Sequence, residues 1–417
     1  MGVLEQRSDL ERNARMHESV DLSVKLGNIP LRNPFIVGSG PSVKNADQIR
    51  EAQDNGWAAV SIKLAIDPFP YINLPPRYRW LKKDKIHIFT AETRLTADCS
   101  LKTLEEARRA AKEIVIFPTI TYDGVDPDGW PRLAKRFEDA GAQAIELNMC
   151  CPNMSFNVTA TGAVSQKATG ASLGSDLDGL SQVVVSITET VGIPVIVKLT
   201  PEGGSIGPAA RVAVQAGATA VGNVANRLGI PAIDILDPLG TIYRLQDSIT
   251  LGCISGPWLR PLALRDTYEM RLAVGAEPFV IGAGGVSDLQ SAVQQIMVGA
   301  DAVWICTETM LRGFDWLPKL LVEFEKHMKR MGYRTIRDFR DLLHQNIVSA
   351  DELRVYSGHA RIDPEKCTAC GLCWKIGHCT AISHPEGITR VDFDHCMGCS
   401  TCVDICPRDA ISMVAAD

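Results

Sequence analysis

Eight of the thirteen cysteines in this chain fall within about forty residues near its end. Successive cysteines are mostly two residues apart, and the second of the two runs ends in Cys-Pro. The runs are Cys367-x2-Cys370-x2-Cys373-x5-Cys379 and Cys396-x2-Cys399-x2-Cys402-x3-Cys406-Pro407. Few large apolar residues lie between them, so this segment cannot build an adequate hydrophobic core by itself. Its fold must depend on what the cysteines bind.

The spacing of the cysteines favours iron–sulfur clusters over disulfides or zinc. Disulfides need an oxidising compartment, and nothing in the chain predicts export. Zinc sites pair one C-x2-C with a distant second pair, whereas triple runs are typical of [4Fe–4S] ligation, with the fourth cysteine of each run serving the other cluster. The predicted ligands are Cys367, Cys370, Cys373 and Cys406 for one cluster, and Cys396, Cys399, Cys402 and Cys379 for the other. The five-residue gap before Cys379 departs from the usual spacing.

The rest of the chain alternates short apolar runs with amphipathic segments of helical period. Apolar strands that alternate with helices predict a parallel sheet covered on both faces, and eight such units favour a (β/α)8 barrel over an open sheet. No G-x-G-x-x-G opens a helix after the first strand, which argues against a dinucleotide-binding domain. We therefore predict the α/β class, a (β/α)8 TIM barrel followed by a small ferredoxin-like dicluster domain. The predicted strands are 35–39, 58–65, 114–120, 144–150, 194–200, 220–225, 279–283 and 302–307.

Length and composition set the predicted domain limits and exclude some partners. A chain of 417 residues suits two domains. We predict an N-terminal arm over 1–22, a barrel over 23–330, a helical connector over 331–356 and the cluster domain over 357–417. The net charge of −6 argues against nucleic-acid binding, which needs a basic stripe. No apolar stretch reaches the ~18–20 residues of a spanning helix, so we expect no membrane contact and a cytoplasmic location.

Unusual residues stand where the predicted barrel strands end, which is where barrel enzymes carry their active sites. Lys63 and Lys198 each follow an apolar run, where a charge is costly unless it has a partner. Two clusters pass single electrons, so another group should accept or supply electron pairs. This need is the physical argument for a flavin.

A family resemblance rests on the segment Glu146-Leu147-Asn148-Met149-Cys150-Cys151-Pro152-Asn153 together with the cysteine-rich tail. This combination resembles the dihydropyrimidine dehydrogenase family, in its small bacterial catalytic subunit form, and more distantly dihydroorotate dehydrogenase. The resemblance runs from Leu31-Arg32-Asn33-Pro34-Phe35 to the terminal cysteines. It includes Ser255-Gly256 and Gly282-Ala283-Gly284-Gly285.

The resemblance implies FMN in the barrel and assigns roles to several residues. Lys63 and Lys198 resemble the two lysines near the flavin ring and ribityl chain. Glu308 stands where the family commonly has glycine, so we expect its side chain to point away from the phosphate. The implied flavin-edge turn is Gly38 and Ser39, and the implied phosphate site is Gly256, Gly284, Gly285 and Thr307.

The resemblance also implies the residues that meet the substrate. Cys151 resembles the cysteine that protonates the substrate carbon next to the one that receives hydride. A general acid needs a pKa near the working pH, and thiols, at ~8.5, qualify. Asn148 is expected to hydrogen-bond the flavin or the substrate, and Asn223 and Asn226 stand where relatives bind the substrate. The stretch Phe89-Thr90-Ala91-Glu92 and the long loop over 153–174 depart from the family pattern.

These observations predict an FMN and iron–sulfur oxidoreductase of pyrimidine metabolism. It would reduce a C=C bond conjugated to a carbonyl in a cyclic, pyrimidine-like substrate. A dihydroorotate-type dehydrogenase running in the oxidative direction is the first alternative, and a non-catalytic electron-transfer subunit is the second. No nicotinamide site is visible in the sequence, so we expect an oligomer in which an NAD(P)H-oxidising FAD/iron–sulfur subunit, or a ferredoxin, supplies electrons.

Overall fold

A computed structural model of the protein describes residues 19–67, 73–90, 92–122, 126, 128–151, 170–202 and 204–415. Residues 1–18 of the predicted N-terminal arm and residues 153–169 of the predicted loop lie outside these ranges. The chain divides into two compact units, Met1–Gln345 and Asn346–Asp417.

Eight parallel strands form the centre of the first unit. Each strand pairs with the next along the chain, and the last strand also pairs with the first, so the sheet closes into a barrel. The strands are β1 (Phe35–Val37), β2 (Ala59–Asp67), β3 (Val115–Tyr122), β4 (Ile145–Met149), β5 (Val195–Leu199), β6 (Ala220–Asn223), β7 (Phe279–Ala283) and β8 (Ala302–Ile305). All eight predicted strands are present, and the predicted (β/α)8 barrel is confirmed.

Helices follow the strands around the outside of the barrel, and local signals fix their ends. Asn45 begins α1, because its side chain accepts a hydrogen bond from the Gln48 backbone N–H. Asp288 and Ser291 form a capping box at the start of α7. The helices are α1 (Ala46–Asp54), α2 (Ala97–Ala110), α3 (Gly129–Asp139), α4 (Leu177–Thr188), α5 (Gly207–Gln215), α6 (Arg260–Val274), α7 (Leu289–Met297) and α8 (Leu317–Met331). Short helices, Ala171–Ser175 and Thr307–Arg312, precede α4 and α8.

The core has two layers, one between strands and helices and one inside the barrel. The inner layer includes Phe117, Ile196 and Trp304. Trp304 reaches across to β6, where an added Cβ on Gly222 would lie 2.1 Å from its ring. Glycine at this position therefore makes room for the indole. The hairpin of Val24–Leu26 and Ile29–Leu31 packs against the same layer.

Two insertions form a four-stranded antiparallel sheet that the sequence analysis did not predict. The insertion after β2 supplies Tyr78–Leu81 and Ile86–Phe89, and the insertion after β6 supplies Arg227–Gly229 and Gly252–Ser255. Both insertions leave the barrel at the carboxyl ends of its strands. They therefore bring extra side chains to the end where an active site is expected.

The second unit contains two short antiparallel pairs of strands. Gly358–Ile362 pairs with Ile411–Ala415, and Ile382–Ser383 pairs with Arg390–Val391. Single turns of helix, Cys373–Lys375 and Thr401–Asp404, lie between them. The buried core consists of Ala360, Cys373, Ile382, Cys402 and Ile411, so two of its five members are cysteines. Within the described ranges, no helix of either unit is long and apolar enough to cross a membrane.

Candidate active site and cysteine cavities

A cavity opens at the carboxyl ends of the barrel strands and leaves about 1170 Å³ of empty space, open solvent at its mouth included. Almost all residues predicted for the flavin and substrate line it, although they are far apart in sequence. Those that line it are Gly38, Ser39, Lys63, Asn148, Cys151, Lys198, Asn226, Gly256, Gly284, Gly285 and Thr307. The structure thus brings together nearly the whole predicted set.

Asn223 does not reach this cavity. Its side chain is fully buried between β6 and β7. Its Nδ2 donates to the Ala283 carbonyl (3.2 Å), and its Oδ1 accepts from the Ala283 N–H (2.8 Å). Both ends of the amide are therefore used to join two strands, and the predicted substrate contact is not formed by this side chain.

Lys198 is buried at the end of β5 and has a buried partner. Its Nζ lies 3.1 Å from Glu146 Oε1 and 4.5 Å from the centre of the Trp304 ring. Burial acts to lower the pKa of Lys198, but the groups that act against burial, the carboxylate of Glu146 first among them, outweigh it, and the pKa is raised. Lys198 is therefore a cation at neutral pH, and Glu146 is the partner that a buried lysine needs.

Lys63, at β2, forms an ion pair with Glu92, which follows the insertion strand Ile86–Phe89. The Tyr78 hydroxyl lies 3.5 Å from the other oxygen of Glu92, and the Tyr78 ring stacks on His87. Burial lowers the pKa of His87 to about 4, although Glu92 opposes the shift, so the imidazole is neutral at working pH. Glu92 and His87 both line the cavity.

Sequence reasoning did not assign Glu92 or His87 to the site. Glu92 gave one signal, because it stands in a stretch that departs from the family pattern. His87 gave none, since it reaches the cavity only through pairing of Ile86–Phe89 with Gly252–Ser255, more than 160 positions away in the sequence.

The turn after β4 carries both cysteines of the family segment. Asn148 Oδ1 accepts from the backbone N–H groups of Cys150 (3.3 Å) and Cys151 (3.2 Å), which fixes the turn. Cys150 is buried, and burial raises its pKa well above the ordinary value. Cys151 is half-buried and packs against Leu64 and Ile66. Both cysteines line the cavity, and Cys151 is the more exposed of the two.

One polar atom at the cavity has no partner. Asn226 Oδ1 is buried, and no described residue donates a hydrogen bond to it. An orphaned buried acceptor is costly unless a ligand or water supplies the missing donor. Asn226 is thus a candidate to meet an N–H group of a bound molecule.

Two glycines with positive φ shape the wall of the cavity. Gly284 has φ +109°, and a Cβ there would lie 2.5 Å from the Ala225 side chain. Gly256 has φ +108°, and a Cβ there would lie 2.6 Å from the Lys85 carbonyl. Only glycine fits both the backbone conformation and the space. Loops after the seventh and eighth barrel strands commonly bind phosphate, and this cradle fits such a group.

Glu308 lies at the same end of the cavity. Its carboxylate is 3.5 Å from Arg312, which also donates to the Ser287 carbonyl. Burial raises the pKa of Glu308, and Arg312 opposes the shift only in part. The carboxylate is therefore directed to a cationic partner.

The eight cysteines of the second unit surround two cavities of similar size, about 350 and 370 Å³. Each cavity is lined by three cysteines of one run and the last cysteine of the other. One cavity has Cys367, Cys370, Cys373 and Cys406, and the other has Cys396, Cys399, Cys402 and Cys379. Over the part of the chain that the structure describes, no three potential ligands converge on a single ion. A cubane cluster occupies the space between its four thiolates, and each cavity has four cysteines around it.

Two sequence families match the chain. The model of the dihydroorotate dehydrogenase family matches residues 21–328, and that of the 4Fe-4S binding domain matches residues 389–412. The first match implies FMN in the barrel, and the second implies iron–sulfur binding in the second unit. The predicted flavin and iron–sulfur chemistry is confirmed to this extent.

Curated relatives include dehydrogenases of two kinds. The chain is 29% identical to the chloroplastic dihydropyrimidine dehydrogenase (NADP(+)) of Arabidopsis thaliana, over 80% of this chain and 79% of the relative. It is 26% identical to the NAD-dependent dihydropyrimidine dehydrogenase subunit PreA of Escherichia coli K12, over 85% and 84%. It is 30% identical to the catalytic subunit of dihydroorotate dehydrogenase B (NAD(+)) of Pyrococcus horikoshii, over 76% and 96%. The predicted resemblance and enzyme class, an oxidoreductase, are confirmed, and the chain belongs to the dihydroorotate dehydrogenase family.

Proposed function

We propose that this protein reduces a C=C bond conjugated to a carbonyl in a cyclic, pyrimidine-like substrate, with electrons supplied through two [4Fe–4S] clusters and FMN. The observation that carries the proposal is the cavity at the carboxyl ends of the barrel strands. It combines two buried lysines, an accessible thiol, an unpartnered amide oxygen and a glycine cradle. The dihydropyrimidine dehydrogenases among the relatives support the substrate class.

Two clusters are proposed because the eight cysteines divide into two sets of four around separate cavities. The family match covers only the second run, residues 389–412. The first run has the same C-x2-C-x2-C spacing, and its cavity is of the same size. The exchange of the fourth cysteine between runs is the arrangement of two-cluster ferredoxins.

The residues of the barrel cavity fit FMN. When bound, FMN converts single electrons into the electron pair that a C=C bond requires. Gly256, Gly284, Gly285 and Thr307 would hold the phosphate, and Gly38 and Ser39 would allow close approach of the ring. Lys63 and Lys198 would offset negative charge that develops on the ring, since both are buried cations.

Substrate recognition and proton transfer fall to the remaining polar residues. Asn226 Oδ1 needs a donor, and Asn148, which also lines the cavity, carries a donor at Nδ2. A donor and an acceptor of this kind complement the N–H and C=O groups of a cyclic amide. Cys151 would donate the proton to the carbon adjacent to the one that receives hydride.

An electron-donating partner is part of the proposal. The related PreA protein and the related dihydroorotate dehydrogenase B proteins are named as subunits, which supports a hetero-oligomer. We propose that an NAD(P)H-oxidising FAD/iron–sulfur subunit or a ferredoxin reduces the clusters in the cytoplasm. That compartment keeps the eight cysteines available as thiolates.

A dihydroorotate-type oxidation is the second candidate. The match covers 96% of the dihydroorotate dehydrogenase B subunit of Pyrococcus horikoshii but 76% of this chain, so nearly that whole subunit corresponds to part of this chain. The two candidates differ in direction and in substrate charge, since dihydroorotate carries a carboxylate and a neutral pyrimidine does not.

The test starts with protein purified under anaerobic conditions. We expect one FMN, no FAD, and about eight iron and eight sulfide per chain. The protein is then assayed with reduced viologen against uracil, thymine and a panel of cyclic lactams and enones, and separately for oxidation of dihydroorotate. Reduction of a neutral lactam supports the proposal. Activity confined to dihydroorotate, or FAD or zinc in place of FMN or iron, refutes it.

A further inference from the structure

Four buried side chains form a hydrogen-bonded chain inside the barrel that ends at Lys198. Trp304 Nε1 donates to Ser61 Oγ (3.1 Å), and Ser61 Oγ donates to Glu146 Oε2 (2.6 Å). Lys198 Nζ donates to the other carboxylate oxygen, Glu146 Oε1 (3.1 Å). Glu146 and Ser61 are fully buried. Each oxygen of Glu146 thus accepts from a different element, β2 on one side and β5 on the other.

Trp304 acts on Lys198 from a second direction. The ammonium lies 4.5 Å from the centre of the indole ring, in the geometry of a cation–π contact. The ring can occupy this place because Gly222 has no side chain. Lys198 is therefore fixed between a carboxylate and an aromatic face, and both are connected through Ser61.

The charge of Lys198 depends on few neighbours. The groups that face it are Glu146 of β4, the Cys150 thiol after β4 and the Cys306 thiol after β8. Burial raises the pKa of Cys306 to about 11, so this thiol is neutral at working pH. Cys150 is likewise held protonated. Glu146 is thus the one anion among the groups that face Lys198, and burial alone would drive Lys198 to lose its proton.

We propose that Glu146 is a positioning residue for the flavin reaction: it keeps Lys198 charged and fixed in the cavity, with Ser61 and Trp304 holding the carboxylate and the ammonium in register. This inference rests on the proposed function, because it assumes that FMN occupies the cavity. Glu146 does not line the cavity, so the role assigned to it is to position Lys198 and not to contact the bound group.

The test is the midpoint potential of the bound FMN, measured from about pH 6 to pH 10 in wild type and in Glu146→Gln. In wild type, Lys198 stays protonated across this range, and the curve has no break from this residue. In Glu146→Gln, unopposed burial lowers the pKa of Lys198, so that this side chain loses its proton as the pH rises through the alkaline part of the range. The potential of the variant should then show an additional inflection and lie below that of wild type on the alkaline side.

Glu308→Gln is the matched control. Like Glu146→Gln it removes a buried carboxylate, but Glu308 itself lines the cavity and pairs with Arg312, not with Lys198. Its curve should keep the shape of the wild-type curve, with no new inflection. A Glu146→Gln curve that follows wild type at every pH, or an equal inflection in Glu308→Gln, would overturn the proposal.

If Glu146→Gln does not fold, the double variant Glu146→Gln with Lys198→Gln still tests the proposal. Removing one member of a buried pair leaves an uncompensated charge, whereas removing both does not. The double variant should fold with FMN and show no inflection, because the titrating group is gone. A double variant that fails to fold, or that retains the inflection, counts against the proposal. Wild-type protein that folds but never contains FMN would instead refute the proposed function.

Discussion

Replacement of Cys151 by serine separates the two adjacent thiols of the cavity. Cys151 is half-buried and Cys150 is buried, and the backbone N–H of each donates to Asn148 Oδ1. Serine fills the same space and keeps this turn, but it holds its proton far more tightly than a thiol does. We therefore expect Cys151→Ser to retain FMN and to lose the contribution of a positioned general acid, about 10²- to 10⁴-fold in kcat, or about 3 to 5 kcal/mol.

Cys150→Ser is the matched control for this change. The Cys150 Sγ lies 3.2 Å from Asn148 Oδ1, and a serine hydroxyl can make the same hydrogen bond. Its thiol is too weak an acid to take part, because burial holds its pKa well above the ordinary value. We expect kcat within about threefold of wild type, since no proton-transferring group is lost.

The assay is anaerobic turnover with reduced viologen, with kcat and KM determined separately and FMN content measured by absorbance. The loss in Cys151→Ser should fall on kcat and leave KM nearly unchanged. If Cys150→Ser is the slow variant, the acid is the neighbouring thiol. If both variants are fully active, the proton comes from another residue and the role given to Cys151 is wrong.

Three further predictions test the clusters, the barrel and the phosphate end. Cys399→Ser should lose about half of the iron and keep its FMN, while Cys99→Ser, at an exposed cysteine outside the runs, should keep all of it by colorimetric analysis. Asn223→Ala removes the acceptor of the buried Ala283 N–H, while Gln295 Nε2 still donates to the Ala283 carbonyl, and it should cost about 1 to 3 kcal/mol in urea denaturation, whereas the exposed Asn346→Ala should cost almost nothing. Glu308→Gln should bind FMN more tightly than wild type by fluorescence titration. The difference in FMN affinity should grow as the pH rises above the ordinary glutamate pKa of 4.5, because the raised pKa of Glu308 moves ionisation of its carboxylate to higher pH. A difference in affinity that shrinks as the pH rises would contradict this.

The barrel strands were predictable because a parallel sheet buried on both faces leaves a plain mark on the sequence. β2 has eight consecutive buried residues, and β3 has eight. Such apolar runs, separated by segments of helical period, are compatible with few folds other than a parallel sheet covered by helices. The strand Tyr78–Leu81 leaves no such mark, since each of its residues is only half-buried. Its existence depends on pairing with a distant segment, which local patterns do not encode.

Site residues were predictable where a residue type is unusual at the end of a strand. They were less predictable where the direction of the side chain decides whether it reaches the cavity. Lys198 after an apolar run required a partner, and Glu146 provides it. Asn223 and Asn226 are equally polar in sequence and lie only three positions apart. The chain turns between them at Ala225, which has a positive φ of 60°, so one amide joins two strands and the other lines the cavity. The conformation of that turn, and not residue type, separates their roles.

Because the core of the second unit is small, the stability of this segment in the cell should depend on the supply of iron. Two of its five buried residues, Cys373 and Cys402, are also proposed cluster ligands, and more of the cysteines pack around them. Oxygen that dismantles a cluster would thus remove redox centre and packing in one event. A protease would meet the damaged segment as an unfolded tail, while the barrel kept its own core. Oxidative damage would in this way be exposed to cellular quality control before a defective electron carrier could accumulate.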